Sequence, residues 1–101
     1  MKQYDIYVGY GSRGGAAEKR IHLENFALGL GVPGITVFNA TGGALSYSGD
    51  PDFEPVFVFR FILPNTPDLS WSIQAFAAEA KRVLDQQVIL VTVTDVLTYS
   101  V

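Results

Sequence analysis

The chain has 101 residues, 49% of them hydrophobic and 13% aromatic, which is enough apolar material for one modest core and too much for a disordered segment. Its formal net charge is -3 and its seven Lys and Arg are scattered, so no basic stripe exists to neutralise a row of phosphates, which argues against nucleic acid as a partner. With no cysteine and one histidine, disulfides, thiol catalysis and a protein-built transition-metal site are set aside.

No apolar run approaches the roughly 20 residues of a membrane span. The opening MKQYDIYV alternates like a strand and lacks a signal-peptide block, so the expected setting is the cytoplasm, with no membrane partner. Residues 3–10 put Tyr4, Ile6, Val8 and Tyr10 on one face of a period-two strand. Residues 16–30 turn to a helical period, with Ala16, Leu23, Phe26, Ala27 and Leu30 on one side. The GVPG of 31–34 stops that helix, and ITVF (35–38) reads as a second strand. A long Gly-, Ser- and Asp-rich connection follows, partly a hairpin, before VFVFRFIL (56–63), the clearest strand in the chain. Thr66-Pro67-Asp68 starts a second helix with a hydroxyl cap, a first-turn proline and an acid at the positive end of the dipole. Its apolar face is Ile73, Phe76, Ala77, Ala80 and Leu84, and QVILVTVTDVLTYSV closes the chain as a strand that bends or continues near Asp95.

The order β-α-β-β-α-β predicts an α+β, ferredoxin-like sandwich: one domain over 1–101, with a four-stranded antiparallel sheet and both helices on one face. This bears on Gly9, Gly11 and Gly14, which spell the G-x-G-x-x-G of dinucleotide-binding folds. That motif needs parallel strands and an acid closing the second one. Here the second strand ends at Phe38-Asn39, so the glycines read as a turn into the helix, with amides at 11–15 able to grip a carboxylate or phosphate.

The strands at 56–63 and 88–93 are apolar on both sides, although a ferredoxin-like sheet covers only one. That pattern predicts self-association through the helix-free face or the sheet edges. Arg60, inside the most apolar strand, then faces an anionic ligand or a partner, or snorkels at the rim. His22 lies one position off its helix's core face and reads as a surface histidine. Asp50, Asp52 and Glu54 alternate, but calcium loops need more ligands at a fixed spacing, so no metal is expected. Tyr47, in a connection where turn geometry does not call for it, and Glu54, heading the most hydrophobic strand, are the residues left for chemistry.

Around these two residues the chain resembles the small phage-encoded S-adenosylmethionine lyases. The resemblance is carried by the order KRIHL (19–23), GVPG, TGGALSY (41–47), EPVFVFRF (54–61), AFAAEAKRVL (75–84) and DQQVILV (85–91). It implies a homotrimer in the host cytoplasm, with active sites between subunits and no cofactor. It implies cleavage of S-adenosylmethionine to 5'-methylthioadenosine and homoserine lactone, as a counter-defence against restriction–modification. By the same resemblance Glu54 is the key acid and Tyr47 its companion. The substrate's own carboxylate is the nucleophile, held by amides around Gly11 and Ser12 or Thr41 and Gly42, with Arg60 as a further binding residue. Two other readings stand beside it: a non-catalytic oligomer binding a small metabolite or a partner protein, and a cofactorless enzyme with His22 as its base.

Overall fold

A computed structural model describes residues 1–10, 14–45, 49, 51–64, 66–86, 89–99 and 101; of residues 44, 45, 51, 52 and 68 only the backbone is described. The elements run β1 (Lys2–Gly9), α1 (Ala16–Gly29), β2 (Thr36–Leu45), β3 (Pro51–Leu63), α2 (Pro67–Val83) and β4 (Leu90–Asp95). The strands form one antiparallel sheet in the order β2-β3-β1-β4. This is the ferredoxin-like arrangement expected from the element order; among the described residues every strand pair is antiparallel, whereas a dinucleotide fold needs adjacent parallel strands.

The period-two pattern of β1 sorts its side chains as expected. Ile6 and Val8 are fully buried and face Phe59 and Phe57 across the ladder. Leu23 and Ala27 of α1, and Ile73, Phe76 and Ala80 of α2, close over that side of the sheet. Phe76 is the hub, its ring centroid 5.0 Å from Phe59 and 5.1 Å from Phe61. Burying a side chain of this size stabilises the fold by about 2–3 kcal/mol.

The helix boundaries follow local chemistry. Gly15 takes the left-handed conformation (φ 77°) ahead of α1, and Gly31 (φ 84°) terminates it, with Pro33 just beyond. Thr66 precedes α2 in an extended conformation, but its hydroxyl makes no capping bond. Pro67, which has no N–H to satisfy, and the bond from Ser70 N–H to Thr66 C=O (3.2 Å) begin the helix instead.

The largest difference from the sequence reading lies in the Gly-rich connection. β2 and β3 continue their ladder to the pair Leu45–Pro51, so most of the presumed connection is strand. A Cβ on Gly42 would sit 2.9 Å from Val56 Cγ2, and one on Gly43 would sit 2.5 Å from the Phe53 ring. These glycines make room for neighbouring side chains within the ladder. At the other end β4 stops at Asp95, where its register with β1 ends at Lys2, and one further bond, from Val96 N–H to Met1 C=O (3.1 Å), follows it. Among the described residues no helix is long and apolar enough to cross a membrane.

Candidate active site

Alternation along β3 sends Glu54, Val56, Val58 and Arg60 to the face that the helices leave uncovered. The register sets Tyr7 and Phe38 on either side of Val58, and Gly9 and Ala40 on either side of Val56. Val58 (1% exposed) and Val56 (7%) are buried without any helix above them, whereas Leu90 of β4 is exposed. The centre of this face is therefore apolar, as the double-sided pattern of β3 predicts.

One end of the face is a closed polar cluster. Arg60 donates from Nε to Asp5 Oδ1 (2.8 Å) and from a terminal nitrogen to Asp5 Oδ2 (3.1 Å), while Gln3 Nε2 donates to Asp5 Oδ2 (3.3 Å). The guanidinium also stands 5.1 Å from the Phe38 ring centroid. The bidentate bonds that Arg60 donates to the Asp5 carboxylate raise its pKa further, so this arginine is always charged. Its nearest anion is thus within its own chain, a partner that the sequence reading missed.

Glu54 occupies the opposite end. It is exposed, faces Gly42 in the β2 register, and lays its carboxylate over Gly9. Among the described residues no hydrogen bond or ion pair engages it. Beside it is a depression of about 260 Å³ lined by Tyr7, Ala40, Thr41, Gly42, Val56 and Leu90. An outward carboxylate at the head of an apolar hollow with an aromatic wall suits a cationic ligand with an apolar body.

Of the residues singled out from the sequence, Thr41, Gly42 and Glu54 thus come together. Arg60 does not join them within one chain, being six residues along the same strand, about 20 Å away. Tyr47, Gly11 and Ser12 lie outside the described residues. His22 is exposed on α1, its Nε2 2.9 Å from Glu79 Oε2 on α2. Glu79 also accepts two bonds from Arg82 (2.7 and 3.0 Å), and these partners hold its carboxyl down to about 2. This cluster lies on the helical side, remote from Glu54. Gly9, read from the sequence as part of the turn into the helix, is the last residue of β1, and Tyr7 went unnoticed, although both carried a signal. A glycine inside an alternating strand marks a close approach, and Tyr7 is the aromatic of β1 that falls out of phase with Tyr4, Ile6, Val8 and Tyr10.

No protein-family profile and no curated protein matches the chain. Solved structures do match it, and they define its class as the ferredoxin-like sandwich shared by PII-like proteins. A phage SAM lyase in complex with S-methyl-5'-thioadenosine superposes with a TM-score of 0.74 at 16% identity, over 93% of this chain and 80% of that one. The divalent cation tolerance protein CutA from Archaeoglobus fulgidus gives 0.58 at 12% identity, over 99% and 88%. The GlnK–ATP complex of B. subtilis gives 0.57 at 15% identity, over 92% and 82%. At such identities the likeness is one of fold.

Proposed function

We propose that this protein is an S-adenosylmethionine lyase: a single domain that assembles as a homotrimer and acts where subunits meet. The observation that carries the reading is the Glu54 carboxylate, exposed over Gly9 beside the hollow walled by Tyr7, Val56 and Leu90. The likeness to a phage SAM lyase holding S-methyl-5'-thioadenosine supports it, because that molecule is one product of the reaction.

The chemistry asks little of the protein. The substrate's carboxylate oxygen attacks its own γ-carbon, the C–S bond breaks, and the electron pair goes to sulfur. The positive sulfonium becomes the neutral thioether of 5'-methylthioadenosine, and the tail closes to homoserine lactone. No proton moves, so no base, metal or cofactor is required. The protein's task is to fold the methionine tail into the attacking geometry, an entropic contribution worth up to about 7 kcal/mol. Glu54 holds the ammonium and the ring of Tyr7 faces the sulfonium, with Tyr47 taken as the companion of Glu54 on the resemblance alone. Amides at Thr41–Gly42 or Gly11–Ser12 hold the carboxylate. Arg60, distant from Glu54 in its own chain, joins only from a neighbouring subunit. In a phage-infected cell such an enzyme removes the methyl donor of restriction–modification systems.

The test is to incubate the purified protein with S-adenosylmethionine and measure 5'-methylthioadenosine. Glu54→Gln is expected to lower turnover at least 100-fold while the native mass stays the same; full activity in that variant refutes the site. The likeness to GlnK bound to ATP supports a second reading, a non-catalytic oligomer that binds a metabolite. A thermal shift with S-adenosylmethionine that leaves the ligand intact would favour it.

A further inference from the structure

Two features of the chain lie outside the proposed site and match one another. The first is the segment after β4. Val96 N–H still bonds Met1 C=O (3.1 Å), but Leu97 (94% exposed) and Tyr99 (84%) then project into solvent. Their alternation with Thr98 continues the strand pattern past the end of its ladder. The second is the outer edge of β2, which among the described residues pairs with β3 alone. Above that edge, on the helix side, an open groove of about 540 Å³ runs between α1 and the sheet. Ala17 and Ile21, both exposed, form its helix wall; Tyr10 stacked on Phe57 (4.0 Å) and Asn39 form its floor. Arg20 and Glu24, paired at 2.9 Å, stand at its lip.

We infer that residues 96–99 of one copy add as a strand to the β2 edge of a second copy, placing Leu97 and Tyr99 in this groove. The backbone groups of an edge strand recruit such a segment, and the alternate side chains select it. The groove is apolar where Leu97 enters, and the Arg20–Glu24 pair supplies the polar partner that a buried tyrosine hydroxyl requires.

A chain cannot satisfy its own groove. β4 and β2 are three strand spacings apart, about 14 Å, and the groove at Tyr10 stands about eight residues, or 26 Å, up the sheet from Asp95. Four extended residues reach about 13 Å. The occupant is therefore a neighbour's segment. Leu97 and Tyr99 together carry roughly 250–350 Å² to be buried. Each such contact buries roughly 250–350 Å² per partner, below the ~800 Å² of a standard interface, so the backbone bonds of the added strand and the apolar helix-free face supply the rest of the seam.

The inference rests on the self-association proposed above and not on the lyase chemistry. The chain has no cysteine, so engineered thiols report alone. The double variant Ala17→Cys/Tyr99→Cys, mildly oxidised at low micromolar concentration, is expected to give a ladder of linked subunits on a non-reducing gel. The pair Ala78→Cys/Tyr99→Cys, with its first thiol on the exposed side of α2, is the control and is expected to give none. A protein whose native mass is oligomeric but whose Ala17–Tyr99 pair yields no ladder, or no more than the control, overturns the docking and leaves self-association standing. A monomeric native mass overturns both.

Discussion

The carboxylate of Glu54 fills the space that a side chain at position 9 would take: a Cβ on Gly9 would lie 2.7 Å from Glu54 Cδ and closer still to Oε1. Gly9 is in extended backbone within β1, so no left-handed conformation explains the glycine. Its role is to let the carboxylate lie against the sheet.

Gly9→Ala therefore moves Glu54 without unfolding the sheet. The clash is with the end of a flexible side chain, and alanine is intrinsically better than glycine in a strand by about 0.5–1 kcal/mol. The expected outcome is a melting temperature within a few degrees of the parent and a turnover of S-adenosylmethionine lowered at least tenfold. Parent-like turnover would show that the position of this carboxylate does not matter.

The bidentate bonds between Asp5 and Arg60 couple β1 to β3 across 55 residues of sequence. Asp5 is 7% exposed, but the Arg60 side chain is about one-third open to water, and solvent screens part of the pair's value. In a double-mutant cycle of Asp5→Ala and Arg60→Ala, a favourable coupling resolved above the error of the urea denaturation curves is expected. Arg60→Ala alone should cost more than Asp5→Ala, because it leaves the buried Asp5 carboxylate without its cation, whereas a guanidinium left behind is open enough to be hydrated. A coupling indistinguishable from zero would mean that water replaces the pair at no cost.

Glu79 ties α2 to α1 through His22, and hydrogen bonds from Arg82 and His22 depress its pKa from 4.5 to about 2. A carboxyl depressed in the folded state adds stability above its unfolded pKa and loses it as pH falls from about 4.5 towards 2. The full shift corresponds to about 3 kcal/mol. His22 and Arg82 are half or more exposed, which reduces the expected contribution to about 1–2 kcal/mol. Denaturant midpoints measured from pH 6 to pH 2.5 should fall less steeply in Glu79→Gln than in the parent. Identical slopes would remove Glu79 from the acid response.

The element order was legible because each signal is local. Period-two alternation in β1, the apolar stripes of both helices, Gly31-Val32-Pro33 and Pro67 act through bonds and side chains a few residues apart. The double apolar face of β3 was equally visible, and Val56 and Val58 are indeed buried on the helix-free side. The hairpin was harder to read. Gly42 and Gly43 count against a strand by propensity, yet they sit in the ladder because Val56 and Phe53 fill the space above them. That reason belongs to residues ten or more positions away.

Composition and periodicity by themselves determined a β-α-β-β-α-β chain and its core side chains, since each depends on local chemistry and on the two repeats of 2 and 3.6 residues; Glu54, expected at the head of the third strand, lies inside it, because the hairpin extends β3 back to Pro51. Only the folded sheet decided that Arg60 is matched by Asp5, that His22 meets Glu79, and that Glu54 rests on Gly9 near Tyr7 and far from Arg60. Those relations are set by strand register and by the crossing of two helices. A shift of one residue in either ladder would send the same side chains to the opposite face.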